Sequence, residues 1–563
     1  MDEPTTSIAS TRSHQMFPTL SAAEIDRVRR FGQARSYATG EAVARVGDPD
    51  HGLKLVLAGH IEVTQHDESG RRLHIVTHGP GQFSGELAQL SGRPSLVDAY
   101  TLDAVDVLAI APERLRALLT AEAELGERIM RALILRRVGL LETGAGGPLI
   151  VGHADDADVL RLEGFLARNG HPHQRLDPDH DADARALVDR FQVGPGELPL
   201  VLCPGGELLR NPTESALARC IGLVGAIDPD RVFDVAVVGA GPAGLATAVY
   251  AASEGLSVLV LDCRAFGGQA GASARIENYL GFPTGISGMA LMARAYTQAQ
   301  KFGVEMAIPD EVLALEPPGD GETVLTLRLG EAERIRTRAV VLASGARYRR
   351  LQVAELDDFE GASVHYWASP LEGKLSEGQD VALVGAGNSA GQAAVFLAGR
   401  AASVTMLVRG RALADTMSRY LVERIEGLEN VTVRTGVEVA GLDGADGMLE
   451  AIRWRPRDGG DEERGAMRQL FLFIGADPNT DWLRGSGLEM DARGFVRTGV
   501  ELGDGRLPLE TSLRGVFAIG DVRAGSVKRV AAAVGDGAQV VASIHAYLAQ
   551  AARPEAEIGA LPA

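Results

Sequence analysis

The fold of this chain is decided by Asp234-Val235-Ala236-Val237-Val238-Gly239-Ala240-Gly241-Pro242-Ala243-Gly244, an apolar strand that runs into a G-x-G-x-x-G turn. A helix-like run over 245–253 follows at once, and a second strand over 257–261 ends in an acid. The first glycine permits the tight bend, the second lets the backbone approach a pyrophosphate, and the third lets helix and strand pack closely. The helix N-terminus attracts phosphates, and an acid about 20 residues later accepts a ribose hydroxyl. The segment therefore predicts a dinucleotide-binding unit with the binding residues Gly239, Gly241, Gly244 and Asp262.

The overall composition indicates a globular protein and argues against one class of partner. The chain has 563 residues, of which 45% are hydrophobic and 23% are charged. This length predicts about three or four domains. The net charge of −19 argues against broad nucleic-acid affinity, because such affinity requires a basic footprint. Residues 235–252 are apolar, but their glycines and proline belong to the fingerprint, so we expect a strand and a helix and no membrane span.

The N-terminus and the cysteines predict a cytoplasmic protein. The first residues, Met1-Asp2-Glu3-Pro4, are acidic and lack an apolar h-region, so we expect no signal peptide. The three cysteines, Cys203, Cys220 and Cys263, are odd in number, widely separated and without a C-x-x-C pair. This spacing fits a reduced cytoplasm and predicts neither a disulfide framework nor a zinc site.

Residues 15–143 show the pattern of a small β-roll. Ser21 and Glu24 have the capping-box spacing that opens a helix. Between residues 34 and 110, frequent glycines separate short strand-like runs, which is typical of a β-roll or a small barrel. A helical run from Pro112 to Leu141 closes the region. No helix-turn-helix pattern follows it, so we do not expect a complete transcription factor.

One segment of this region, G-Q-F-S-G-E-L-A over 81–88 with Arg93 shortly after, resembles the phosphate cassette of cyclic-nucleotide-binding domains. The resemblance implies that Glu86 takes the ribose 2′-hydroxyl of cAMP or cGMP and that Arg93 pairs with the cyclic phosphate, a strong charge-assisted contact. The cassette residues are Gly85, Glu86, Leu87 and Arg93. Two features depart from the family: the interval from Glu86 to Arg93 is short, and Pro94 replaces a small residue. A β-roll retained for dimerisation, with Arg93 solvated, is the alternative.

Residues 148–226 follow a linker at 144–148 and show the element order βαβαββα, with a Gly-Gly hairpin at 205–206. This order resembles the thioredoxin fold. The resemblance makes Leu198-Pro199 the cis-proline step of that fold. The redox dithiol is missing, because the loop at 152–156, before the first helix, reads G-H-A-D-D.

Two further features of this region favour structural roles. Cys203 lies in a later strand and Cys220 on a helix, and we interpret both as buried small apolar residues rather than nucleophiles. The acidic run 177–183 lacks the glycine and glutamate of a calcium loop, so we expect it to cap the next helix. The region is therefore predicted to be a non-catalytic adaptor.

A second fingerprint, 381–390, has the form G-x-G-x-x-A between a strand and a helix. Its second strand, 403–408, ends in Arg409-Gly410-Arg411 instead of an acid. An arginine at this place suits a 2′-phosphate, which favours NADP(H) over NAD(H). A basic surface turn is the alternative. The residues assigned to this nucleotide are Gly385, Gly387, Asn388, Ser389, Ala390, Arg409 and Arg411.

Across residues 231–552 the chain resembles the low-molecular-weight thioredoxin reductases. The two fingerprints occur in the family's order with five further motifs: G-G-Q at 267–269, E-N-Y-L-G-F-P at 277–283, A-S-G-A at 343–346, F-I-G-A-D-P-N-T at 473–480 and V-F-A-I-G-D at 516–521. The resemblance implies FAD on the first fingerprint and NADPH on the second. It further implies that Gln269 and Asn278 approach the flavin and that Asp521 binds the ribitol.

The predicted fold class is therefore multidomain. It combines a β-roll cyclic-nucleotide-binding domain at 15–143, a thioredoxin-like α/β domain at 148–226 and two Rossmann-type α/β domains. The resemblance implies that the NAD(P)H-binding domain at 351–474 is inserted between the two parts of the FAD-binding domain, 231–350 and 475–555. Both families tend to form homodimers, and we expect one here.

The dithiol of the thioredoxin reductases is absent from its place in the sequence. The corresponding segment, 366–373, reads Y-W-A-S-P-L-E-G, with Trp367 and Pro370 at the cysteine positions, and Arg529-Val530 stands where the family has Arg-Gln. Thiol–disulfide exchange needs a thiolate. We therefore expect an NADPH-dependent FAD oxidoreductase whose acceptor is a ferredoxin-like carrier, a quinone, dioxygen or an external protein disulfide, with no catalytic side chain assigned. The alternative is a cyclic-nucleotide-sensing or interaction protein with a vestigial reductase body.

Overall fold

The computed structural model describes residues 12–48, 52–66, 72–90, 93–144, 147–194, 196–204, 206–225, 228–273, 275–319, 323–329, 333–360, 362–368, 370–445, 448–503 and 505–551. The chain divides into two compact units. The first comprises Met1–Asp234, Ala251–Ala265 and Thr297–Glu311, and the second comprises Val235–Tyr250, Phe266–Tyr296 and Val312–Ala563. Among the described helices, none is long and apolar enough to cross a membrane.

The N-terminal region is a β-roll of two four-stranded antiparallel sheets, as predicted. Two helices precede it, α1 (Ser13–Met16) and α2 (Ala22–Arg29), and the Ser21–Glu24 capping box at the start of α2 is confirmed. The strands are β1 (Gln33–Tyr37), β2 (Ala42–Ala44), β3 (Leu53–Ala58), β4 (Ile61–His66), β5 (Arg72–His78), β6 (Phe83–Ser84), β7 (Asp98–Thr101) and β8 (Val105–Ile110). One sheet has the order β1-β8-β3-β6 and the other β2-β7-β4-β5. One apolar cluster, which includes Val56, Val63 and Val107, forms the core between the two sheets. A second cluster joins apolar side chains of the first sheet to those of the flanking helices.

The closing helix is broken, which the sequence did not predict. Instead of one run to Leu141, the structure has α3 (Pro112–Ala121) and α4 (Ala123–Thr143), which meet at Glu122 with φ −115° and ψ 81°. The carboxylate of Glu122 forms ion pairs with Arg27 and Arg30, at the C-terminal end of α2, and these pairs hold the break. The helix α4 ends at Gly144, which has φ +68°.

The next region has the predicted order of elements. These are β9 (Leu149–Val151), α5 (Ala157–Arg168), β10 (Gln174–Leu176), α6 (Ala182–Arg190), β11 (Leu200–Leu202), β12 (Leu208–Arg210) and α7 (Glu214–Cys220). The sheet order is β10-β9-β11-β12, with β9 parallel to β10 and antiparallel to β11. The Leu198–Pro199 bond is cis, as predicted. Gly205 of the predicted hairpin and residues 145–146 of the linker lie outside the described residues.

The acidic run 177–183 caps a helix, as the sequence predicted. The side chain of Asp181 accepts hydrogen bonds from the first backbone N–H groups of α6, those of Asp183 and Ala184. Asp177 and Asp179 instead face His153, whose Nδ1 lies 3.5 and 3.2 Å from their carboxylate oxygens.

The expectation that the chain has no disulfide is wrong for one pair of cysteines. Cys203 follows β11 and Cys220 ends α7, and their sulfur atoms are bonded, with Cα atoms 6.1 Å apart. The two residues are 17 positions apart, and only the packing of α7 against the β11–β12 hairpin brings them together. Cys263 is a free, exposed cysteine.

The first nucleotide fingerprint lies in a doubly wound α/β arrangement. Its strands are β13 (Val232–Val238), β14 (Val258–Leu261), β15 (Glu305–Ala307), β16 (Ala314–Glu316), β17 (Leu325–Arg328) and β18 (Arg334–Leu342). The helices are α8 (Pro242–Ser253), α9 (Gly268–Gly271) and α10 (Gly288–Lys301). The sheet order is β15-β14-β13-β18-β17-β16. The run of buried apolar residues in β13 and β14 is typical of strands covered on both faces.

The second fingerprint lies in a five-stranded parallel sheet with the order β20-β27-β21-β22-β23 and a three-stranded antiparallel sheet, β24-β25-β26. β19 (Ala346–Tyr348) and β28 (Ala476–Pro478) form a separate two-stranded sheet. The strands of the five- and three-stranded sheets are β20 (Val364–His365), β21 (Asp380–Val384), β22 (Ser403–Val408), β23 (Val431–Thr435), β24 (Val437–Ala445), β25 (Met448–Pro456), β26 (Glu463–Ala466) and β27 (Gln469–Leu472). The helices are α11 (Leu356–Phe359), α12 (Pro370–Leu375), α13 (Asn388–Ala398) and α14 (Arg419–Glu426).

The chain leaves and re-enters the first α/β sheet through paired strands. β19 and β28 run antiparallel, with Ala346 opposite Pro478. After this pair, β29 (Val516–Ala518) joins the first sheet parallel to β18, and the long helix α15 (Val530–Ala551) completes the fold.

Candidate functional site

The first fingerprint forms a turn in which two glycines are required by close packing. Gly239 has φ +113°, and a Cβ atom there would lie 2.2 Å from the carbonyl oxygen of Ala343. A Cβ atom on Gly244 would lie 1.9 Å from the carbonyl oxygen of Gly239, so strand and helix touch at this point. Gly241 differs, because the nearest atom to its added Cβ is 3.9 Å away. The backbone of Gly241 is therefore open on the side where a pyrophosphate would approach.

Two distant segments meet this turn. The backbone N–H of Gly267 donates to the carbonyl oxygen of Ala240 at 2.7 Å, and a Cβ on Gly268 would lie 3.1 Å from the Cα of Gly241. A Cβ on Gly520 would lie 2.9 Å from the Cβ of Ala243. The G-G-Q and G-D motifs therefore both lie against the first turn of α8. Together these segments form a surface of exposed backbone that fits a dinucleotide.

The side chains that follow these glycines occupy defined places. Gln269 donates from Nε2 to the carbonyl oxygen of Ala346 at 2.6 Å, which joins α9 to β19. Asp521 is half-buried, and desolvation together with the nearby Asp536 charge raises the pKa of its carboxyl group. Lys528 donates to the backbone carbonyl of Asp521. The structure thus brings Gln269 and Asp521, which are far apart in sequence, to the fingerprint turn.

The other two residues predicted for the first nucleotide lie at strand and loop ends. Asp262 directly follows β14, and its Oδ1 accepts a hydrogen bond from the backbone N–H of Arg264 at 3.1 Å. Asn278 is exposed on a loop that is closed by the bridge between Ile276 and Ile286. Neither placement by itself tests the predicted role.

The second fingerprint repeats the open turn. Gly385 has φ +144°, and a Cβ there would lie 2.4 Å from the carbonyl oxygen of Phe473, whereas a Cβ on Gly387 would meet no atom within 4 Å. Asn388 begins α13, and its Oδ1 accepts a hydrogen bond from the backbone N–H of Ser418 at 2.7 Å. Ser389 is exposed and Ala390 is buried. This backbone is again accessible to a phosphate.

The basic turn after β22 is exposed. Arg409 and Arg411 both present their side chains to solvent, directly after the last residue of the strand. The turn lies at the carboxyl end of the strand next to β21, so the two arginines predicted for a 2′-phosphate are accessible from solvent.

The predicted cyclic-nucleotide cassette follows β6. Gly85 has φ +119°, and Leu87 begins a short 3-10 turn, Leu87–Leu90. Glu86 is 7% exposed, and its Oε2 lies 3.5 Å from Nη1 of Arg137 in α4. Arg93 lies close enough to His171 for its charge to lower the pKa of that imidazole. Sequence reasoning did not anticipate Arg137 or His171, although two adjacent arginines in the apolar helix α4 were a signal.

Comparison with known proteins identifies the family. Residues 233–537, more than half of the chain, match the pyridine nucleotide-disulphide oxidoreductases, and residues 34–122 match the cyclic nucleotide-binding domains. The chain belongs to the pyridine nucleotide-disulphide oxidoreductase family. It carries a cyclic nucleotide-binding domain ahead of its reductase body, and its cofactors are FAD and NADPH.

Similar proteins of this family are reductases of two kinds. The chain is 34% identical over 320 residues to thioredoxin reductase from Mycolicibacterium smegmatis, and the alignment covers 57% of this chain and 97% of the relative. It is 32% identical over 329 residues to a component of alkyl hydroperoxide reductase from Pseudomonas putida. That alignment covers 58% of this chain and 60% of the relative. Among solved structures, Lactococcus lactis thioredoxin reductase matches 56% of this chain and 99% of its own, with 26% identity and a TM-score of 0.52.

The segment that was predicted to correspond to the dithiol of thioredoxin reductases is held by aromatic and acidic side chains. Trp367 donates from Nε1 to Oε1 of the buried Glu372 at 2.9 Å, and Pro370 is the first residue of α12. Tyr366 donates its hydroxyl to Glu360, and its ring stacks on Tyr348 with centroids 6.0 Å apart.

Tyr348, which sequence reasoning missed, stacks on this segment through Tyr366. Desolvation raises the pKa of its phenol, and the charge of Asp521 contributes to the shift. The phenol therefore stays protonated and lies near the carboxylate predicted for the ribitol. No motif in the sequence marks this tyrosine, because its role arises from the pairing of β19 with β28.

Proposed function

We propose that this protein is an NADPH-dependent FAD oxidoreductase whose electrons leave to an acceptor other than a dithiol of its own reductase body. One observation carries the proposal: the indole of Trp367 is held by Glu372, in the segment where the resemblance to thioredoxin reductases implies that Trp367 and Pro370 replace the two cysteines. Neither side chain provides a thiolate, which exchange with a disulfide requires. The remaining cysteines lie elsewhere, with Cys203 bonded to Cys220 and Cys263 unpaired.

The residues proposed to hold the cofactors follow from the open turns described above. The bare backbone at Gly241 and Gly268 and the N-terminus of α8 fit the pyrophosphate of FAD, and the turn at Gly387 fits that of NADPH. Arg409 and Arg411 offer the positive charge for the 2′-phosphate. When bound, FAD supplies hydride acceptance from NADPH and electron release to the next carrier. The chain supplies orientation, and burial raises the pKa of the Asp521 carboxyl group.

The acceptors that fit this proposal are a ferredoxin-like carrier, a quinone, dioxygen or an external protein disulfide. The deciding experiment is an anaerobic titration of the purified holoprotein with NADPH, in which the flavin absorbance band is followed. Oxidised thioredoxin is added at the end, and then each acceptor in turn. We expect the band to bleach, to stay bleached with thioredoxin, and to return with one of the other acceptors.

Two results would contradict the proposal. If NADPH leaves the flavin oxidised, the protein is not an NADPH-dependent flavoenzyme. If thioredoxin reoxidises the flavin rapidly, a cysteine outside the segment 366–373 performs the exchange. Repeating the titration with a Cys203→Ser/Cys220→Ser variant then identifies whether that pair is responsible.

A second function, cyclic-nucleotide sensing, is favoured by the match of residues 34–122 to cyclic nucleotide-binding domains and by the buried position of Glu86. A ribose hydroxyl that reaches a buried carboxylate forms a charge-assisted hydrogen bond. We propose that cAMP or cGMP binds there and regulates the reductase. Calorimetric titration of the full-length protein with each nucleotide tests this, and no heat at millimolar nucleotide would remove the proposal.

The remaining proposals concern organisation. The β-roll at 15–143 and the reductase body at 231–555 would be joined by an adaptor at 148–226 whose sheet order supports the thioredoxin-like assignment. We also propose a cytoplasmic homodimer, with NADPH as a cytoplasmic reductant. Light scattering of the purified protein measures the mass of the assembly, and a value of one chain, 59.3 kDa, would contradict the dimer.

A further inference from the structure

Two consecutive arginines of α4 contact the predicted nucleotide cassette. Arg136 donates from Nη1 to the carbonyl oxygens of Phe83 and Gly85 at 2.9 and 2.7 Å, so it fixes the backbone just before Glu86. Arg137 faces the carboxylate of Glu86 at 3.5 Å, and the side chains of this pair are 12% and 10% exposed. Removing one partner of such a buried ion pair lowers the stability of a protein, because the remaining charge is left uncompensated.

Arg137 also contacts the α/β domain that follows. Its Nε donates to the carbonyl oxygen of Gly170, after α5, at 3.0 Å. The adjacent His171 is 2% exposed, and burial together with the charges of Arg137 and Arg93 lowers its pKa to about 3. One guanidinium therefore joins the cassette carboxylate to the loop at Gly170, and all of these residues lie in the first compact unit.

Two further close contacts tie the same elements together. A Cβ on Gly222, just beyond α7, would lie 2.6 Å from Cγ of Pro94, the residue after Arg93. A Cβ on Gly144, at the end of α4, would lie 2.6 Å from the carbonyl oxygen of His173. There is thus little free space between the cassette, the end of α4 and the segment 170–173. A change in the position of Arg137 must be accommodated by that segment.

We propose that Arg137 is a ligand-operated latch between the cassette and the α/β domain. A cyclic nucleoside monophosphate whose 2′-hydroxyl engages Glu86 displaces Arg137 from that carboxylate and loosens its hydrogen bond to Gly170. This rests on the proposed nucleotide binding. The displaced guanidinium remains near the ligand's cyclic phosphate, a better partner for it than a carbonyl oxygen. Arg93 is not required for this contact.

The chain offers well-matched variants for a test. Arg137→Met keeps most of the apolar stem and removes the charge, and Arg137→Lys keeps the charge but cannot hold both partners. The control is Arg131→Met on the same helix, whose side chain is 53% exposed and pairs with Glu127, one helical turn away. Hydrogen exchange of peptides covering 168–176 is measured on full-length holoprotein, with and without 1 mM cAMP or cGMP.

We expect the ligand to speed exchange in 168–176 of the wild type by about tenfold, which corresponds to a small local opening free energy. In Arg137→Met and Arg137→Lys, exchange should be fast already without ligand and unchanged by it, while Arg131→Met should behave as the wild type. The latch is overturned if the wild type binds nucleotide and 168–176 does not respond. It is equally overturned if either Arg137 variant responds as the wild type does.

The failure of the proposed function gives a different result. If neither the wild type nor Arg137→Met takes up nucleotide, the ligand-operated latch is wrong together with nucleotide sensing. Bleaching of the flavin by NADPH in the same samples reports the oxidoreductase separately. Fast exchange of 168–176 in ligand-free Arg137→Met would then show a permanent structural bond between the two domains.

Discussion

A methyl group on Gly244 would lie 1.9 Å from the carbonyl oxygen of Gly239, whereas one on Gly241, three residues earlier, would meet nothing closer than 3.9 Å. The two glycines of one fingerprint therefore serve different purposes. Gly244 is required by the protein itself, since helix α8 packs against β13. Gly241 is required only by the pyrophosphate that is proposed to approach this turn.

This difference predicts opposite behaviour of two alanine variants. Gly241→Ala should fold with normal thermal stability but bind FAD about tenfold more weakly, because its methyl group occupies ligand space. Gly244→Ala should lower the stability of the apoprotein itself by about 1–3 kcal/mol, because the contact is overpacked. The flavin content after gel filtration measures FAD binding, and melting curves of the apoprotein measure its stability. Normal flavin content in Gly241→Ala would mean that the pyrophosphate lies elsewhere.

The basic turn after β22 predicts the choice of nicotinamide cofactor. Replacing Arg409 and Arg411 by alanine should raise the KM for NADPH by about tenfold for each lost charge contact and leave that for NADH unchanged. Steady-state kinetics with each cofactor and an artificial acceptor measure this. Arg419→Ala is the control, because that arginine is also exposed but pairs with Glu423 on α14. An equal change for both cofactors would indicate a basic surface turn without a role in recognition.

The disulfide predicts a specific thiol count. Protein denatured without a reductant should show one reactive thiol for each chain, that of Cys263, and three after reduction. Replacing Cys203 and Cys220 by serine should lower the unfolding free energy of the α/β domain by about 3 kcal/mol, since the unfolded chain loses a constraint. Thiol titration and chemical unfolding check the two statements. Three thiols in freshly purified anaerobic protein would show that the pair is reduced in the cell.

A buried histidine predicts acid sensitivity of the β-roll. His78 is 2% exposed, and burial followed by the charge of Arg136 lowers its pKa from 6.5 to about 3. Between pH 6.5 and 3, His78 is protonated in the unfolded state but neutral in the folded state. The contribution of His78 to the unfolding free energy is therefore fully present above pH 6.5 and is lost as the pH falls toward 3. The loss is about 1.4 kcal/mol for each pH unit.

The measurement is acid unfolding followed by circular dichroism. His78→Phe should remove this share of the pH dependence, while His74→Phe, at an exposed position of the same strand, should leave it unchanged. The assignment to His78 is wrong if the two variants show the same acid midpoint.

Local patterns predicted most of the fold because each element carries its own signal. The glycine spacing of the two fingerprints indicated both nucleotide turns, and the Ser21–Glu24 spacing indicated a capping box that the structure contains. The order of elements over 148–226 and the cis bond at Leu198–Pro199 were also predicted. The break at Glu122 was not, because its cause is an ion pair with Arg27 and Arg30, about 90 residues earlier.

The sequence by itself determined the family and the two dinucleotide turns, since these depend on residue type and short-range spacing. Only the tertiary structure decided which distant groups meet. It joined Cys203 to Cys220, stacked Tyr348 on Tyr366 and placed Arg137 between Glu86 and Gly170. The physical reason is that such contacts depend on how helices and sheets pack, and packing leaves no periodic pattern along the chain.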